Sequence, residues 1–374
     1  MQLSKHFALA VASFSFLGSA YGAPGMSSTG RLPVPHNDPE NSLFFWLFEA
    51  EDTLYDDNLI WFNGGPGCSS LIGLTTGNGP ISFDGNTTRT VANPYSWTKF
   101  GHGLNVDQPV GTGYATASEP YPAVNNGVVT THFYNWLQSF FAHFPHLQAK
   151  QLHLFGESWA VNAPAISATI EKYLASHQAL LQIPDDILDV FTEASKTCGF
   201  DDVLEEAAQF PPRHALVVSG NPEGGLIYDA IHSSCYGPCA TFSTASSYLD
   251  THIPGFDLYD ITHDRSTTDH SPWSRILGSD RSKAPMDFIL PGLVTSHNIF
   301  LHVYFGEYGF LLNHFSASSV STDEAGKWAS ECGVTYHFFR GAGHSVFLSK
   351  PREMFAYVRD GVVAKSSLSD INTN

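Results

Sequence analysis

Positive charge is scarce in this chain of 374 residues. Lys and Arg together number 18, against 36 Asp and Glu, which gives a formal net charge of −18. Nucleic acids and anionic membranes bind to basic patches, so we expect neither as a partner. Charged residues of both signs make up only 14% of the sequence, while hydrophobic residues make up 43%. This composition excludes a disordered chain and predicts a large buried core.

Long apolar runs are also rare, and the one that stands out lies at residues 7–17. It follows Lys5, and it is too short to cross a bilayer as a helix. Small residues occupy several positions between 18 and 23, where a signal peptidase could cut. We therefore predict that residues 1–23 are a signal peptide, with a membrane anchor as the alternative. After removal of the signal, no membrane span is expected.

Cysteine is sparse as well, with five in the chain. In an exported protein this number predicts up to two disulfides and one remaining thiol. Cys235 and Cys239 are close enough in sequence to pair, and Cys198 is a further candidate, so the connectivity stays open. Asn86 begins a glycosylation sequon, which supports export. No spacing of histidines with a nearby acid is typical of a metal site, so we predict no metal and no other cofactor.

Short apolar runs alternate with turn signals along the rest of the sequence. They predict strands at residues 43–48, 59–62, 103–106, 151–155, 299–304 and 334–339. Apolar residues at helical spacing predict helices at residues 131–144 and 166–174. The succession of strand, loop and helix is typical of an α/β fold, in which helices cover a parallel sheet.

Residues 178–285 have a different composition. They contain three of the five cysteines, several Pro and Asp turns, and a helical stretch at residues 183–196. We interpret this part as a cap or insertion, which assigns residues 24–177 and 286–374 to the core of the fold. Loops at the carboxyl ends of strands are where α/β folds place their chemistry.

Segment 61–70 reads Trp-Phe-Asn-Gly-Gly-Pro-Gly-Cys-Ser-Ser and includes the end of a predicted strand. Adjacent glycines expose backbone N–H groups because no Cβ shields them, and Asn63 adds side-chain amide donors. Such a loop suits a carboxylate or a developing oxyanion. Taken alone, the glycines also fit a tight turn.

Ser158 and His344 are the candidate reactive pair. Ser158 lies between a predicted strand and a helix, and Gly156 and Ala160 are small enough to allow a sharp turn that exposes the hydroxyl. His344 follows the last predicted strand through a glycine-rich turn. A serine hydroxyl becomes a useful nucleophile when a histidine accepts its proton, and Ser before His is a chain order found in hydrolases.

With these motifs together, the chain resembles the serine carboxypeptidases, exopeptidases of vacuoles and secretory routes. The resemblance rests on segments 61–71, 93–97, 107–113, 156–159 and 343–344, which follow the order of the family. It implies an α/β-hydrolase fold, with a mostly parallel central sheet and a cap insertion. It also implies a secreted, vacuolar or lysosomal hydrolase that acts on peptide or protein C-termini.

The resemblance also implies a role for each residue that matches a family position. The implied site consists of the nucleophile Ser158, the general base His344, the oxyanion-hole N–H groups of Gly65 and Trp159, and the carboxylate-binding residues Asn63, Gly64 and Glu157. In this site the Glu157 side chain is protonated and shares its proton with a second carboxyl group. Two carboxyl groups in contact cannot both stay charged, so such a pair favours acidic pH.

Two departures from the family pattern affect acidic residues. The position of the triad acid is Gly309, in the stretch Gly306-Glu307-Tyr308-Gly309. Glu307 is a candidate replacement for the acid, but its side chain points the same way only if the strand continues through it. Gly77 stands where the family has the glutamate that shares a proton with Glu157.

A third departure concerns the sheet. After residue 177 the family's next apolar core strand is missing, and the chain passes almost directly to residues 183–186. The fold is therefore expected to keep its α/β-hydrolase character while one core strand is in question. A truncated or misspliced gene model would account for all three departures.

The sequence thus predicts a serine-type carboxypeptidase that releases C-terminal residues through an acyl-enzyme on Ser158. The alternative is a catalytically impaired homologue that binds peptide C-termini without cleaving them, and Gly309 and Gly77 favour it. An esterase or lipase of the same fold is a third interpretation. The donor loop at residues 63–67 argues against it, because neutral esters offer no free carboxylate.

Overall fold

A computed structural model describes residues 27–34, 40–65, 67–83, 89–123, 125–158, 166–207, 239–262, 299–310, 321–323, 326–331 and 334–364. The predicted signal peptide, Asn86, Trp159 and Cys235 lie outside these residues. The chain divides into two compact units. The first comprises Met1–Val161, His270–Ser282 and Pro351–Asn374, and the second comprises Asn162–Asp269 and Lys283–Lys350. The predicted boundaries of core and cap stay a prediction.

The first unit is built on a five-stranded sheet. Its strands are β1 (Ser27–Pro33), β2 (Ser42–Phe48), β3 (Asn58–Phe62), β6 (His102–Asp107) and β7 (Leu152–Gly156), and two short strands, β4 (Ile81–Phe83) and β5 (Thr90–Ala92), pair separately. The order in the sheet is β1-β2-β6-β3-β7. β3 is parallel to both β6 and β7, whereas β2 is antiparallel to β1 and β6. The loops that follow β3, β6 and β7 therefore leave the same edge of the sheet.

Helices complete the first unit. α1 (Leu71–Gly73) continues into a π-helix at Leu74–Asn78, and α2 (Asn126–His143) is followed by α3 (Pro145–Gln148). The Asn125 side chain caps α2 by accepting a hydrogen bond from the Val128 N–H at 3.0 Å. Buried Trp136 and Phe140 of α2 pack edge-on against Phe45 of β2, with ring centroids 6.0 and 5.3 Å apart. These aromatic contacts hold α2 on the sheet and fill the core of this unit.

The second unit contains a four-stranded sheet. Its strands are β8 (Leu301–Gly306), β9 (Ser321–Asp323), β10 (Gly326–Glu331) and β11 (Val334–Phe339), in the order β8-β11-β10-β9. β8 and β11 are parallel, and the other pairs are antiparallel. The helices are α4 (Ile166–Ser176), α5 (Gln178–Leu181), α6 (Asp185–Thr197), α7 (Phe200–Ala207), α8 (Thr241–His252) and α9 (Val346–Ser349). In the described part of the chain no helix has the length and apolar character needed to cross a membrane.

A separate apolar core and a disulfide hold the second unit together. Phe310 is fully buried, and its ring lies 5.6 Å from that of Tyr173 and 5.7 Å from that of Phe256. Cys198, at the end of α6, is bonded to Cys239. This connectivity is one that the sequence left open, and it closes a loop that includes the undescribed residues 208–238.

The strands predicted from alternating apolar runs are confirmed as β2, β3, β6, β7, β8 and β11, each end within two residues of the expected position. The helix expected at 131–144 begins earlier, at Asn126, because Asn125 provides the cap. β1 was not predicted, since its sequence Ser-Ser-Thr-Gly-Arg-Leu-Pro has little apolar patterning. It becomes a strand by pairing with β2 over its full length.

Both strands that border the expected gap lie at the end of a sheet. β7 is the last strand of the five-stranded sheet and β8 is an end strand of the four-stranded one, so in the described residues no strand pairs with the second side of either. β3, which has a partner on each side, is buried at every position, whereas Leu154 of β7 is 57% exposed. Parallel strands normally lie within a sheet covered on both faces. The missing core strand stays a prediction from the sequence.

We expect a matched pair of substitutions to report the exposure of β7. Leu154→Ala should change the free energy of unfolding by no more than about 0.5 kcal/mol, because the side chain is largely in water. Leu59→Ala, on the neighbouring β3, removes a side chain that is 1% exposed and should cost about 2–5 kcal/mol. Urea unfolding followed by circular dichroism measures both. An equally large loss for Leu154→Ala would show that β7 is covered in solution.

Candidate active site

The glycine-rich loop follows β3 and has the backbone geometry expected of a donor loop. Gly65 and Gly67 have φ values of +113° and +108°, a region that residues with a Cβ rarely adopt. A Cβ on Gly65 would also lie 3.0 Å from the backbone nitrogens of Gly67 and Cys68. The turn is held by a hydrogen bond from the Cys68 N–H to the Gly64 carbonyl, at 3.1 Å. Glycine is therefore required at position 65, and its N–H group is not shielded by a side chain.

Asn63 is the centre of the polar network in this loop. Its Oδ1 accepts hydrogen bonds from the indole Nε1 of Trp61 at 2.8 Å and from the backbone N–H of Gly73 at 3.0 Å. These two donors fix the orientation of the amide, because a flipped amide would place its own N–H groups against them. The Nδ2 group then donates to Oε2 of Glu157 at 2.9 Å. Asn63 and Glu157 are both buried, so the loop after β3 is joined to the end of β7 by a desolvated polar contact.

Ser158 has a backbone conformation that is unusual for a residue with a side chain. Its φ is +59°, and it lies two residues after the end of β7. A non-glycine residue in the left-handed region costs energy and is often found at functional sites. A nucleophile on a strained turn between strand and helix has its hydroxyl exposed at the edge of the sheet. Ser158 is only partly buried, in keeping with that geometry.

Gly77 lies in the π-helix and offers no carboxyl group near the loop. It is buried, and its carbonyl accepts a hydrogen bond from Nδ2 of Asn93 at 2.7 Å. Asn93 also donates to the carbonyl of Gly79 at 2.8 Å, so the turn keeps its shape without an acidic side chain. Trp159, the second expected oxyanion donor, lies outside the described residues.

His344 belongs to the second unit, on the loop that follows β11. Its backbone N–H donates to the Tyr259 carbonyl at 2.7 Å, and its ring centroid is 5.3 Å from that of Tyr259. The residue as a whole is partly exposed, but its Nε2 is buried and has no hydrogen-bond partner among the described residues. Burial lowers the pKa of His344 to about 4, because the charged imidazolium loses its hydration. The imidazole is therefore neutral at all but strongly acidic pH.

Gly309 lies directly beside His344. A Cβ built on Gly309 would be 3.4 Å from the Cα and the backbone nitrogen of His344, which is ordinary van der Waals contact. A Cβ at this position would thus lie against the backbone of the histidine at normal contact distance. The glycine leaves that place without a carboxylate.

Glu307 has a different partner from the one the sequence suggested for it. β8 ends at Gly306, so Glu307 lies in a turn and not in a continuing strand. Its Oε2 accepts a hydrogen bond from the backbone N–H of Gly341 at 2.7 Å. This bond, together with one from the Glu307 N–H to the Phe339 carbonyl at 3.1 Å, ties the turn to the strand that leads to His344. Glu307 thus contacts the backbone of the histidine loop, with no hydrogen bond to the imidazole.

Asp260 is a carboxylate near the histidine loop that sequence reasoning missed. Its Oδ1 accepts hydrogen bonds from the Thr262 N–H at 3.0 Å and the Thr262 hydroxyl at 2.6 Å. Its Oδ2 packs on Gly343, 2.5 Å from where a Cβ of that glycine would be. Asp260 lies in the segment interpreted as a cap, about eighty residues before His344, and no local pattern in the sequence links the two.

The structure groups the predicted residues in two sets. Asn63, Gly64, Gly65, Glu157 and Ser158 belong to the first unit, and Glu307, Gly309 and His344 belong to the second. The first set has the donors and the strained serine. The second has the imidazole of His344, with its buried Nε2, and Gly309 beside it.

Comparison with known proteins agrees with these features. Residues 22–183 match the family model described as serine carboxypeptidase. A carboxypeptidase Y homolog of Arthroderma benhamiae is 31% identical, with 89% of this chain and 90% of the relative covered. Carboxypeptidase Y of Komagataella phaffii is 40% identical over 134 residues, which cover 35% of this chain and 24% of that protein. The alignment with the Arthroderma relative extends over 457 positions, more than the 374 residues of the chain, so part of that relative has no counterpart here.

The fold comparison points the same way. The crystal structure of a prohormone-processing carboxypeptidase from Saccharomyces cerevisiae superimposes with a TM-score of 0.65 and 17% sequence identity, covering 92% of this chain and 91% of that one. The expected α/β-hydrolase fold is thereby confirmed. Because the match to the Arthroderma relative extends over nine-tenths of both proteins, this chain belongs to the serine carboxypeptidase family.

Proposed function

We propose that the chain is a serine carboxypeptidase of the secretory pathway that removes C-terminal residues from peptides through an acyl-enzyme on Ser158. The observation that carries this proposal is the φ of +59° at Ser158, directly after a buried glutamate and a parallel strand. A strained serine at this point of the sheet is expected for a nucleophile and has no evident structural use. The disulfide and the predicted signal peptide support export.

The proposed reaction begins with the binding of the substrate's terminal carboxylate by Asn63 and Gly64, with Glu157 beside them. The Ser158 hydroxyl then attacks the scissile carbonyl, and His344 accepts the hydroxyl proton. The N–H groups of Gly65 and Trp159 stabilise the oxyanion. The imidazolium returns the proton to the leaving amino acid, and water hydrolyses the acyl-enzyme by the same route.

The missing acid bears on the rate of this reaction. A carboxylate in a triad orients the imidazole and stabilises its charged form, and its loss lowers turnover by about four orders of magnitude. Gly309 has no side chain and Glu307 is bonded to Gly341. These two observations favour a second candidate function, in which the protein binds peptide C-termini with little or no hydrolysis.

Labelling with a fluorophosphonate tests the nucleophile directly. We expect the wild-type protein to be labelled at Ser158 and Ser158→Ala to remain unlabelled, because the reagent reacts only with an activated serine. Mass spectrometry of the labelled peptide identifies the site. Failure to label, together with no release of an amino acid from a blocked dipeptide, would leave the peptide-binding function in its place.

Restoring the acid should increase the labelling rate. In Gly309→Asp the new Cβ lies beside the backbone of His344 at normal contact distance. We expect the labelling rate to increase about 10²-fold or more. Glu307→Gln is the matched control, because the amide oxygen can still accept the Gly341 N–H. An unchanged rate in Glu307→Gln is expected. A large loss there would show that Glu307 serves as the acid.

The pH dependence of labelling should report the burial of His344. A base with a pKa lowered to about 4 stays neutral, and accepts a proton from serine, at all pH values above that point. We therefore expect the acid limb of the labelling rate near pH 4, well below the ordinary histidine value. Gly309→Asp should move this limb to higher pH, since a nearby carboxylate favours the imidazolium. A limb near pH 6.5 in the wild-type protein would contradict the buried histidine.

A further inference from the structure

Asp107 is a buried carboxylate at the end of β6 that the proposed reaction does not use. It is 0% exposed. Its Oδ1 accepts hydrogen bonds from the Ser69 hydroxyl and the Ser70 N–H, both at 2.8 Å, and its Oδ2 accepts one from the Tyr114 N–H at 2.9 Å. One side chain therefore holds two loops, the donor loop after β3 and the loop after β6.

The contact continues through Ser70 to the centre of the donor loop. The Ser70 hydroxyl accepts a hydrogen bond from the backbone N–H of Asn63 at 3.0 Å and donates to the Val106 carbonyl at 2.5 Å. Asn105 adds a hydrogen bond to the Ser70 carbonyl at 3.1 Å. Ser70 is thereby held between Asp107 and Asn63, and the position of Asn63 depends on it.

Burying a carboxylate costs free energy, so Asp107 is an unusual choice for a position that only needs packing. Burial raises the pKa of Asp107 above its ordinary value, and the hydrogen bonds from Tyr114, Ser69 and Ser70 act in the opposite direction. The Asp107 carboxylate also leaves no room for a side chain at position 113. A Cβ on Gly113, whose φ is +55°, would collide with it. All three groups that face the carboxylate oxygens are donors, so an amide in its place would turn an N–H group toward one of them.

We propose that Asp107 is a positioning residue for carboxylate recognition: it holds Ser69 and Ser70 so that Asn63 and Gly64 present their donors to the C-terminal carboxylate of a peptide. The inference rests on the proposed function and adds a residue to it. Asp107 acts through the donor loop and does not itself contact the substrate. Its loss should therefore weaken the recognition of a free carboxylate more than the binding of the rest of the peptide.

A binding experiment that needs no turnover tests this role. In the full-length Ser158→Ala protein, isothermal titration calorimetry measures the dissociation constants of a peptide with a free C-terminus and of the same peptide with a C-terminal amide. Asp107→Asn should weaken binding of the free acid about ten-fold or more and leave binding of the amide nearly unchanged. The reason is that the hydrogen bonds from Ser69, Ser70 and Tyr114 to the charged Asp107 carboxylate, which hold the donor loop in place, are weakened or lost. Equal weakening of both peptides, or no change, would overturn the proposal.

Two further variants keep the test decisive. Asp57→Asn removes a different carboxylate of the same unit, which is only partly buried and is bonded to His153 at 3.0 Å at the opposite end of β3, and it should alter neither dissociation constant. Ser69→Ala removes only one of the three hydrogen bonds and should produce a smaller loss in the same direction, even if Asp107→Asn fails to fold. If the Ser158→Ala protein binds the free acid and the amide equally well, the proposed function itself is refuted. If that protein prefers the free acid and Asp107→Asn leaves the preference unchanged, only the role of Asp107 is refuted.

Discussion

The parallel pairing of β3 with β6 on one side and β7 on the other is the constraint on which the first unit depends. β3 is buried at every position, so its backbone groups must be satisfied by these two neighbours. Because the three strands run the same way, the loops that follow them meet at one edge. Asn63 and Ser158 lie in two of these loops, and Asp107 is the last residue of β6. Their proximity is a consequence of strand order, although Asn63 and Ser158 are 95 residues apart in sequence.

Hydrogen bonds with a fixed direction then make this edge specific. The indole of Trp61 and the N–H of Gly73 both point at Oδ1 of Asn63, so the amide has one possible orientation. Asp107 performs the same task for Ser69 and Ser70, since it offers only acceptors to groups that only donate toward it. Buried polar groups are expensive when unsatisfied, and a network in which each donor has its acceptor is correspondingly rigid.

The second unit shows what happens where such a network lacks one member. The loop that carries His344 is tied down through backbone groups: Tyr259 accepts from His344, and Glu307 accepts from Gly341. The Nε2 atom of the imidazole is buried, and burial lowers the pKa of His344 to about 4. Gly309, beside His344, carries no side chain, so no carboxylate from that position can stabilise a protonated imidazole.

Much of this could be read from the sequence because it depends on local patterns. Short apolar runs between turn signals predicted β2, β3 and β11, and the Asn-Gly-Gly and Gly-Glu-Ser motifs indicated a candidate donor loop and a candidate nucleophile. The glycine at position 309 was also visible in the sequence, as a departure from a family pattern. β1 was not, since a polar strand is recognised only by its pairing with β2.

Other features were decided only by the tertiary structure. Three contacts join segments that are distant in sequence: Asn63 with Glu157, Glu307 with Gly341, and Asp260 with Gly343. The positive φ of Ser158 likewise could not be read from the sequence. A carboxylate in a sequence has many possible donors. Strand order and burial select one of them, because only the folded chain determines which N–H groups lie within reach and out of water.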